Sequence, residues 1–330
     1  MGTGFQHIQP LPGTWALSHS QVDAFSQCRL KWYANYVARL EPVERPARLA
    51  IGSAWHKVIE HYRQAQIDGG ALGDQVEAAK WTIDHILEFV PSVYVDDEID
   101  ERLRWALAGY VERWAEIEVN WEYLAVEVPI RQPLIGGVTF VGFVDYIKRD
   151  RRTGKIRAGD TKTSSGKDLS KEYYSADLSF DPQFMRYAGG LRRAGVEISG
   201  FEWDAVRMDK LKRAMVMDER YNRINGDLSN TEAVESAWTT LQELAEEINA
   251  VRQGASRIYS TPVAWICKSR CDFYAAHQLA ADTGRDFEQA CIDYGHKRRA
   301  EPLGRLIGGR LAGPIPLPPE VAPDVIDSKT

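Results

Sequence analysis

Val141-Gly142-Phe143-Val144-Asp145, followed one turn later by Ala158-Gly159-Asp160-Thr161-Lys162, decides how the rest of the chain is read. Asp145 interrupts an apolar run, where a carboxylate without a compensating partner is costly to bury. Asp160 and Lys162 stand two apart on a strand, so their side chains share a face, and an antiparallel neighbour brings Asp145 to that face. Two carboxylates ~4 Å apart repel by about 4 kcal/mol at an effective dielectric of 20, so the pair either shares a proton or holds a divalent cation. With a lysine alongside, such an oxygen-rich site suits Mg²⁺ or Mn²⁺, which polarise a phosphate oxygen while Lys162 orients or activates water. Phosphodiester hydrolysis is the chemistry this set fits. Alone, Asp160-Thr161-Lys162 also reads as a surface ion pair; the second aspartate one hairpin earlier shifts the balance, as does a helix with Gln183 and Tyr187 at i,i+4 soon after.

Working outward, Tyr123–Ile130, Val138–Ile147 and Ile156–Thr161 read as a three-stranded meander, with Gly136-Gly137 and Thr153-Gly154 as its turns. A helix is expected over Pro182–Ala194, strands at Phe201–Met208 and Ala214–Met217, and a helix over Thr231–Val251. Before the meander the chain is mostly helical. Ser18-His19-Ser20-Gln21 opens like a capping box, followed by apolar residues at helical spacing to Tyr36, and further helices fit Ile51–Tyr62, Val76–Phe89 and Ile99–Val119. The fold class is therefore α/β, a central mixed sheet flanked by helices, with helical elements at both ends. The expected organisation is an N-terminal helical region over 1–120, a core over 121–255, a cysteine-containing element over 256–300 and a Pro-rich tail over 301–330, where six of the 15 prolines fall. That tail reads as extended or disordered.

The 330 residues suffice for a sizeable core, and 44% hydrophobic with 27% charged residues is ordinary globular composition. Forty-one Lys and Arg against 47 Asp and Glu leave a net charge of −6, without the basic excess of a charge-driven nucleic-acid coat protein, which weakens a nucleic-acid reading but leaves room for an enzyme with a basic cleft. Lys148, Arg149, Arg151, Arg152, Lys155 and Arg157 crowd one stretch, most of them expected at a solvated hairpin tip. No apolar run reaches the ~18 residues of a membrane span and no secretion signal opens the chain, so a cytoplasmic protein is expected. Tryptophans 32, 55, 81, 105 and 114 recur at helical spacing among apolar residues and read as core rather than as base-stacking platforms, with Trp55 set apart by its neighbour His56.

Other motif readings fail on spacing. His56 and His61 are five apart, about 140° around a helix, and so do not form the stacked pair of a zinc peptidase. Ser164-Ser165-Gly166-Lys167-Asp168 lacks the leading glycine and final hydroxyl of a phosphate-binding loop.

Gly52-Ser53-Ala54-Trp55-His56, Gly142 to Asp145, Asp160 to Lys162, and Gln183 to Tyr187 stand in the order G-x-x-x-H, G-x-x-D, D-x-K, Q-x-x-x-Y. In this the chain resembles the PD-(D/E)xK nuclease superfamily, in particular its RecB-type exonuclease branch, which includes the AddB nuclease domain and CRISPR-adaptation exonucleases. The resemblance implies a restriction-endonuclease-like core and a Mg²⁺- or Mn²⁺-dependent DNA exonuclease acting in recombination, repair or end processing. It implies that His56, Asp145, Asp160 and the Thr161 carbonyl hold the metal, that Lys162 serves the water, and that Gln183 and Tyr187 position DNA. DNA with free ends is the expected partner, alongside recombination or CRISPR-adaptation proteins. A non-catalytic DNA-binding or assembly factor on the same fold, and a structure-selective endonuclease, remain alternatives.

Cys28 lies in the first helix, and Cys267, Cys271 and Cys291 near the other end. The same resemblance implies a [4Fe-4S] cluster held by one N-terminal and three C-terminal cysteines, four thiolates being the count required. The spacing departs from the pattern, since Cys291 follows Cys271 by 20 residues and His277 falls nearer the place of a fourth ligand. Zinc, and four cysteines packed as small hydrophobes, stay open as readings of the same residues.

Overall fold

The computed structural model of the chain describes residues 15–43, 47–90, 97–164, 181–208, 220–228, 230–256, 258, 267–268 and 271–299. The strand expected at Ala214–Met217 and the tail 301–330 lie outside the described residues. Packing divides the chain into two compact units, one drawn from 1–44, 131–142 and 236–313 and the other from 45–130, 143–235 and 314–330.

The main sheet is mixed, with six strands in the order β1 (Trp15–Ser18), β4 (Val138–Asp150), β5 (Ile156–Ser164), β6 (Gly200–Arg207) and β7 (Tyr221–Asp227), and with β3 (Trp121–Pro133) also paired to β4. β4 and β5 form the antiparallel hairpin read from the sequence, Tyr146 opposite Gly159, so Asp145 and Asp160 follow at the next position along it. β5 then runs parallel to β6, placing Thr161 beside Asp204, and β6 pairs antiparallel with β7. The crossover between the parallel strands carries α7 (Pro182–Arg193), as parallel pairing requires.

In the first unit, α1 (His19–Gln27) starts at Ser18, whose hydroxyl accepts the Gln21 N–H at 3.3 Å. The helix expected to run on to Tyr36 instead breaks at Cys28, which is extended (φ −165°, ψ 117°), before α2 (Arg29–Trp32) and a π-helical turn (Tyr33–Val37). Apolar periodicity continues across such a break, so it left no trace in the pattern. Strand β2 (Leu40–Pro42) pairs with β8 (His296–Arg298) in a small antiparallel sheet. α8 (Thr231–Arg252), most of which belongs to this unit, α9 (Tyr274–Thr283) and α10 (Phe287–Asp293) complete the described helices there.

In the second unit, α3 (Ala47–Ile67), α4 (Leu72–Asp84), α5 (Ile86–Phe89) and α6 (Asp97–Glu118) form the helical layer. Three acidic residues in the first turn of α6 complement its dipole. Ile51, Ala54, Trp55, Val58, Ile59 and Tyr62 make the apolar stripe of α3, packed with Leu103, Leu107 and Tyr110 of α6 and Val206 of β6. Trp55 and Tyr62 meet Tyr110 edge to face, each at 5.9 Å. Trp32, Trp55 and Trp114 are buried as expected, but Trp81 is 48% exposed, stacked on His85 of the same helical stretch.

Behind the hairpin this unit buries ions rather than hydrocarbon. Arg63 of α3, Lys148 of β4 and Arg223 of β7 interleave with Glu118 of α6 and Glu202 and Asp204 of β6. Three cations thus meet three carboxylates, so the cluster is neutral as a whole. Lys148, expected near a solvated tip, is fully buried, with its ammonium 2.5 Å from Glu202 and 4.2 Å from the Trp121 ring centre. Arg151, Arg152 and Lys155 are exposed as expected. Burial alone would raise the Glu202 carboxyl, but Lys148, Arg223 and the Tyr146 hydroxyl at 2.6 Å bring it down to about 2. Burial pulls the Lys148 ammonium down in turn. With three donors against one carboxylate, ionised Glu202 is the form that dominates.

A carboxyl held at about 2 when folded and near 4.5 when unfolded stabilises the fold above pH ~4.5, and that contribution is lost as pH falls towards ~2. Glu202→Gln should therefore be destabilised near neutrality, and its deficit relative to wild type should shrink by about 3 kcal/mol between pH ~4.5 and ~2. Urea unfolding across that range measures it; a pH-independent deficit would contradict the ion cluster.

Candidate active site

All seven residues singled out for the metal, the water and DNA lie in the second unit, and the fold brings them together from α3, β4, β5 and α7. Two glycines permit the approach. A Cβ on Gly52, the first residue of the G-x-x-x-H element, would come within 2.9 Å of the Thr163 hydroxyl on β5. A Cβ on Gly159 would lie 1.9 Å from the Tyr146 ring, which packs directly over the backbone just before Asp160. On α7, Asp181 is the N-cap, accepting the N–H groups of Gln183 at 2.8 Å and Phe184 at 3.2 Å, with Pro182 at the first helical position. Gln183 therefore starts a rigid helix, with Phe184 stacked on Phe201 at 4.5 Å beneath it.

His56 Nδ1 lies 3.2 Å from Asp145 Oδ2, and the same oxygen accepts the Thr161 N–H at 2.7 Å. Lys162 forms a tight ion pair with Asp160 and donates to Gln183 Oε1 at 3.2 Å, while Gln183 Nε2 makes a long 3.5 Å contact to the other Asp160 oxygen. Tyr187, one turn further on, is buried and shares a hydrogen bond with Gln183.

Environment separates the two carboxyls. Burial opposes ionisation of Asp145, but His56, the Thr161 N–H and Lys162 hold it down at about 2. Asp160 moves the other way, raised by burial and by the charge of Asp145 against the pull of Lys162. Burial disfavours the His56 imidazolium, yet Asp145 outweighs it and the group is raised. Burial likewise works against the Lys162 ammonium, and Asp160, Asp145 and Asp181 more than offset it. Asp160 and Lys162 are thus both drawn towards protonation; with three carboxylates around it, the ammonium is the form that holds at neutral pH. Burial, Asp160 and Asp145 push the Tyr187 phenol far above its usual range, so it stays a neutral donor.

The donor set suits a hard divalent cation. Asp160 Oδ2 is buried with the Lys162 ammonium against it, and carboxylate oxygens with an imidazole are ligands that Mg²⁺ and Mn²⁺ accept. Among the described residues no three His, Cys, Asp or Glu side chains are closed around a common point, and the charged groups of the site pair with one another.

Two groups beside the site escaped the sequence reading. Glu127 of β3 adopts a left-handed φ of 49°, a strained backbone for a non-glycine, and its carboxyl is raised to about 7 by burial and by Glu60 and Asp145. Its sole sequence signal is an acid within Val126-Glu127-Val128. Arg63 is seven residues beyond His56 on the same helix, at the edge of its apolar stripe, where a charge gives no signal by itself.

All four cysteines belong to the first unit and are free thiols. Cys271 is raised by burial and, in smaller measure, by Cys28 and Cys267, and among the described residues no three cysteines close around a common point. Cys291 is fully buried and raised to about 12 by that burial, by Glu288 and Asp286, and by Cys271. His277, on α9, is lowered by burial and faces the Phe287 ring edge at 6.3 Å.

Two carboxylates, an imidazole and an ammonium on a helix-flanked mixed sheet are the parts of a hydrolytic nuclease. Residues 16–276 match the PD-(D/E)XK nuclease superfamily, and the chain belongs to it. Nucleases of this superfamily generally use divalent metals. Among solved structures, a candidate exonuclease from Eubacterium rectale aligns at 13% identity over 77% of this chain and 93% of its own, with a TM-score of 0.43. The protein SSO0001 aligns at 16% identity over 60% of this chain and 78% of its own, with a TM-score of 0.29. No curated protein matches the chain. Among the described residues no helix is long and apolar enough to cross a membrane.

Gly159→Ala should force the Tyr146 ring off the strand and destabilise the protein by about 1–3 kcal/mol, as overpacking does. Thermal or urea unfolding reads this directly, and a fully stable alanine variant would contradict the close approach.

Proposed function

We propose that the protein is a Mg²⁺- or Mn²⁺-dependent exonuclease that degrades DNA from free ends in recombination, repair or end processing. The observation that carries the reading is the convergence of His56, Asp145, Asp160 and Lys162 from three separate segments, with Lys162 paired to the buried Oδ2 of Asp160. His56, Asp145, Asp160 and the Thr161 carbonyl would hold the cation, which supplies a Lewis acid to draw charge from the phosphate and to ease deprotonation of water. Asp145 stays ionised throughout. Lys162 acts as a fixed positive charge, orienting water and offsetting the negative charge that develops on the phosphate in the transition state. Gln183, set by the start of α7 and tied to Lys162, aligns the phosphodiester, and neutral Tyr187 donates a hydrogen bond to the DNA backbone.

In the first unit, Cys28, Cys267, Cys271 and Cys291 are the candidate ligands of a [4Fe-4S] cluster, with His277 as the alternative fourth. The mutual influence of Cys28, Cys267 and Cys271 supports this, whereas the protonated tendency of Cys291 works against it unless iron displaces the proton.

With Mg²⁺ or Mn²⁺ the purified protein should degrade end-labelled linear DNA and spare closed circles. Asp160→Ala and Lys162→Ala should each lower the rate at least about 10²-fold with unchanged circular dichroism; unaltered activity in both variants would refute the site, and equal cutting of circles would make the protein an endonuclease. For the cysteines, anaerobically purified protein should absorb near ~400 nm and carry iron and sulfide, both lost in Cys271→Ala. A colourless, iron-free preparation would rule the cluster out.

A further inference from the structure

We propose that Arg63 is a positioning residue that fixes the peptide between Asp160 and Lys162 through the Thr161 hydroxyl, and so sets the affinity of the site for its divalent cation. Seven residues separate Arg63 from His56, two turns of α3, so the two side chains leave the helix on nearly the same face. His56 reaches Asp145, which accepts the Thr161 N–H at 2.7 Å. Arg63 reaches Thr161 itself, Nη1 donating to the hydroxyl at 2.9 Å. One helix therefore grips one residue of β5 twice, at its main chain through a carboxylate and at its side chain through a guanidinium. That residue lies between the second carboxylate and the lysine, and its carbonyl is the proposed main-chain ligand.

Charge pairing does not account for this arrangement. Arg63 is 1% exposed and donates Nη2 to Asp204 at 2.6 Å, but Asp204 Oδ2 already receives the Tyr110 hydroxyl at 2.5 Å and Arg223 at 3.3 Å. Neutralising Asp204 leaves the second arm of the Arg63 fork free of that task, and the arm goes to Thr161. The guanidinium is also held flat, its carbon 3.8 Å from the centre of the Tyr146 ring that covers Gly159. Asp204 itself sits beside Thr161 in the parallel register of β5 and β6. Strand, ring, carboxylate and guanidinium leave Thr161 a single orientation, while Asp160 and Lys162, its neighbours on the alternating strand, point to the opposite face. Partners of this kind behind a metal site typically alter affinity 10–100-fold when removed.

The inference rests on the proposed metal site, and its test separates the two. Mn²⁺ binding, without DNA, is measured by calorimetry or by loss of the free-ion paramagnetic resonance signal for wild type, Thr161→Val, Thr161→Ser, Arg63→Lys and Asp160→Ala, each checked for folding by its melting temperature. Thr161→Val, which keeps the branched shape and removes the hydroxyl, should weaken Mn²⁺ binding about 10-fold or more. Thr161→Ser, which keeps the hydroxyl, should bind within about threefold of wild type, a rescue that mere packing would not produce. Arg63→Lys, if folded, should resemble the valine variant, because an ammonium cannot reach Thr161 and Asp204 as a fork. Wild-type affinity in Thr161→Val, or equal loss in the valine and serine variants, would overturn the role of Arg63. Undiminished binding in Asp160→Ala would instead overturn the metal site itself.

Discussion

The structure around the site depends on a neutral cluster of six buried charges behind the β4–β5 hairpin. Arg63, Lys148 and Arg223 offset Glu118, Glu202 and Asp204, and three tyrosines, Tyr110, Tyr123 and Tyr146, fill the space between them through hydrogen bonds and ring faces. Such clusters rarely add stability over a hydrocarbon core of equal volume, because desolvation cancels most of the attraction. What they add here is geometry, since directional hydrogen bonds orient strands in a way that dispersion contacts do not. Strands β3, β4, β6 and β7 each have a side chain in the cluster, as do the two long helices α3 and α6, and β5 is tied to it through the Thr161 hydroxyl.

On the opposite face the balance is deliberately incomplete. Asp145 has two donors on one oxygen and ionises readily, whereas Asp160 is buried, repelled by Asp145 and relieved mainly by Lys162. The same sheet thus holds a closed set of charges behind and an open set in front. A closed set resists any incoming ion, and an open one is relieved by a cation. That asymmetry, more than the identity of any single residue, makes the front face suited to phosphate chemistry.

Close approach is the third requirement, and it explains two glycines that chemistry alone would not demand. Gly52 lets α3 come down on β5 and Gly159 lets Tyr146 lie across the strand. Without those contacts His56 and Arg63 would stand too far from the hairpin to hold Asp145 and Thr161 together.

The amino-acid sequence by itself determined the α/β class, the meander with its three strands, the helix after it and the order of the four motif elements. Those are local properties: alternation, helical period, turn glycines and short spacings within one element. It also singled out Asp145, a carboxylate in an apolar run, with Asp160 and Lys162 on one strand face, whereas His56, Gln183 and Tyr187 stood out through the resemblance of the four motif elements to a known family. Tertiary structure decided the rest. Lys148 reads as part of a basic hairpin tip and is buried only because Glu202, over fifty residues away, lies across from it. Trp81 shares the helical spacing of the buried tryptophans but sits on the exposed side of its helix, a matter of rotation that spacing cannot fix. Arg63 looks like an ordinary charge on a long helix until Thr161 and Asp204 are brought to it, and Cys28 breaks a helix whose pattern runs on undisturbed. For Lys148 and Arg63 the deciding partner is distant in sequence, and only folding supplies the contact that gives the residue its role.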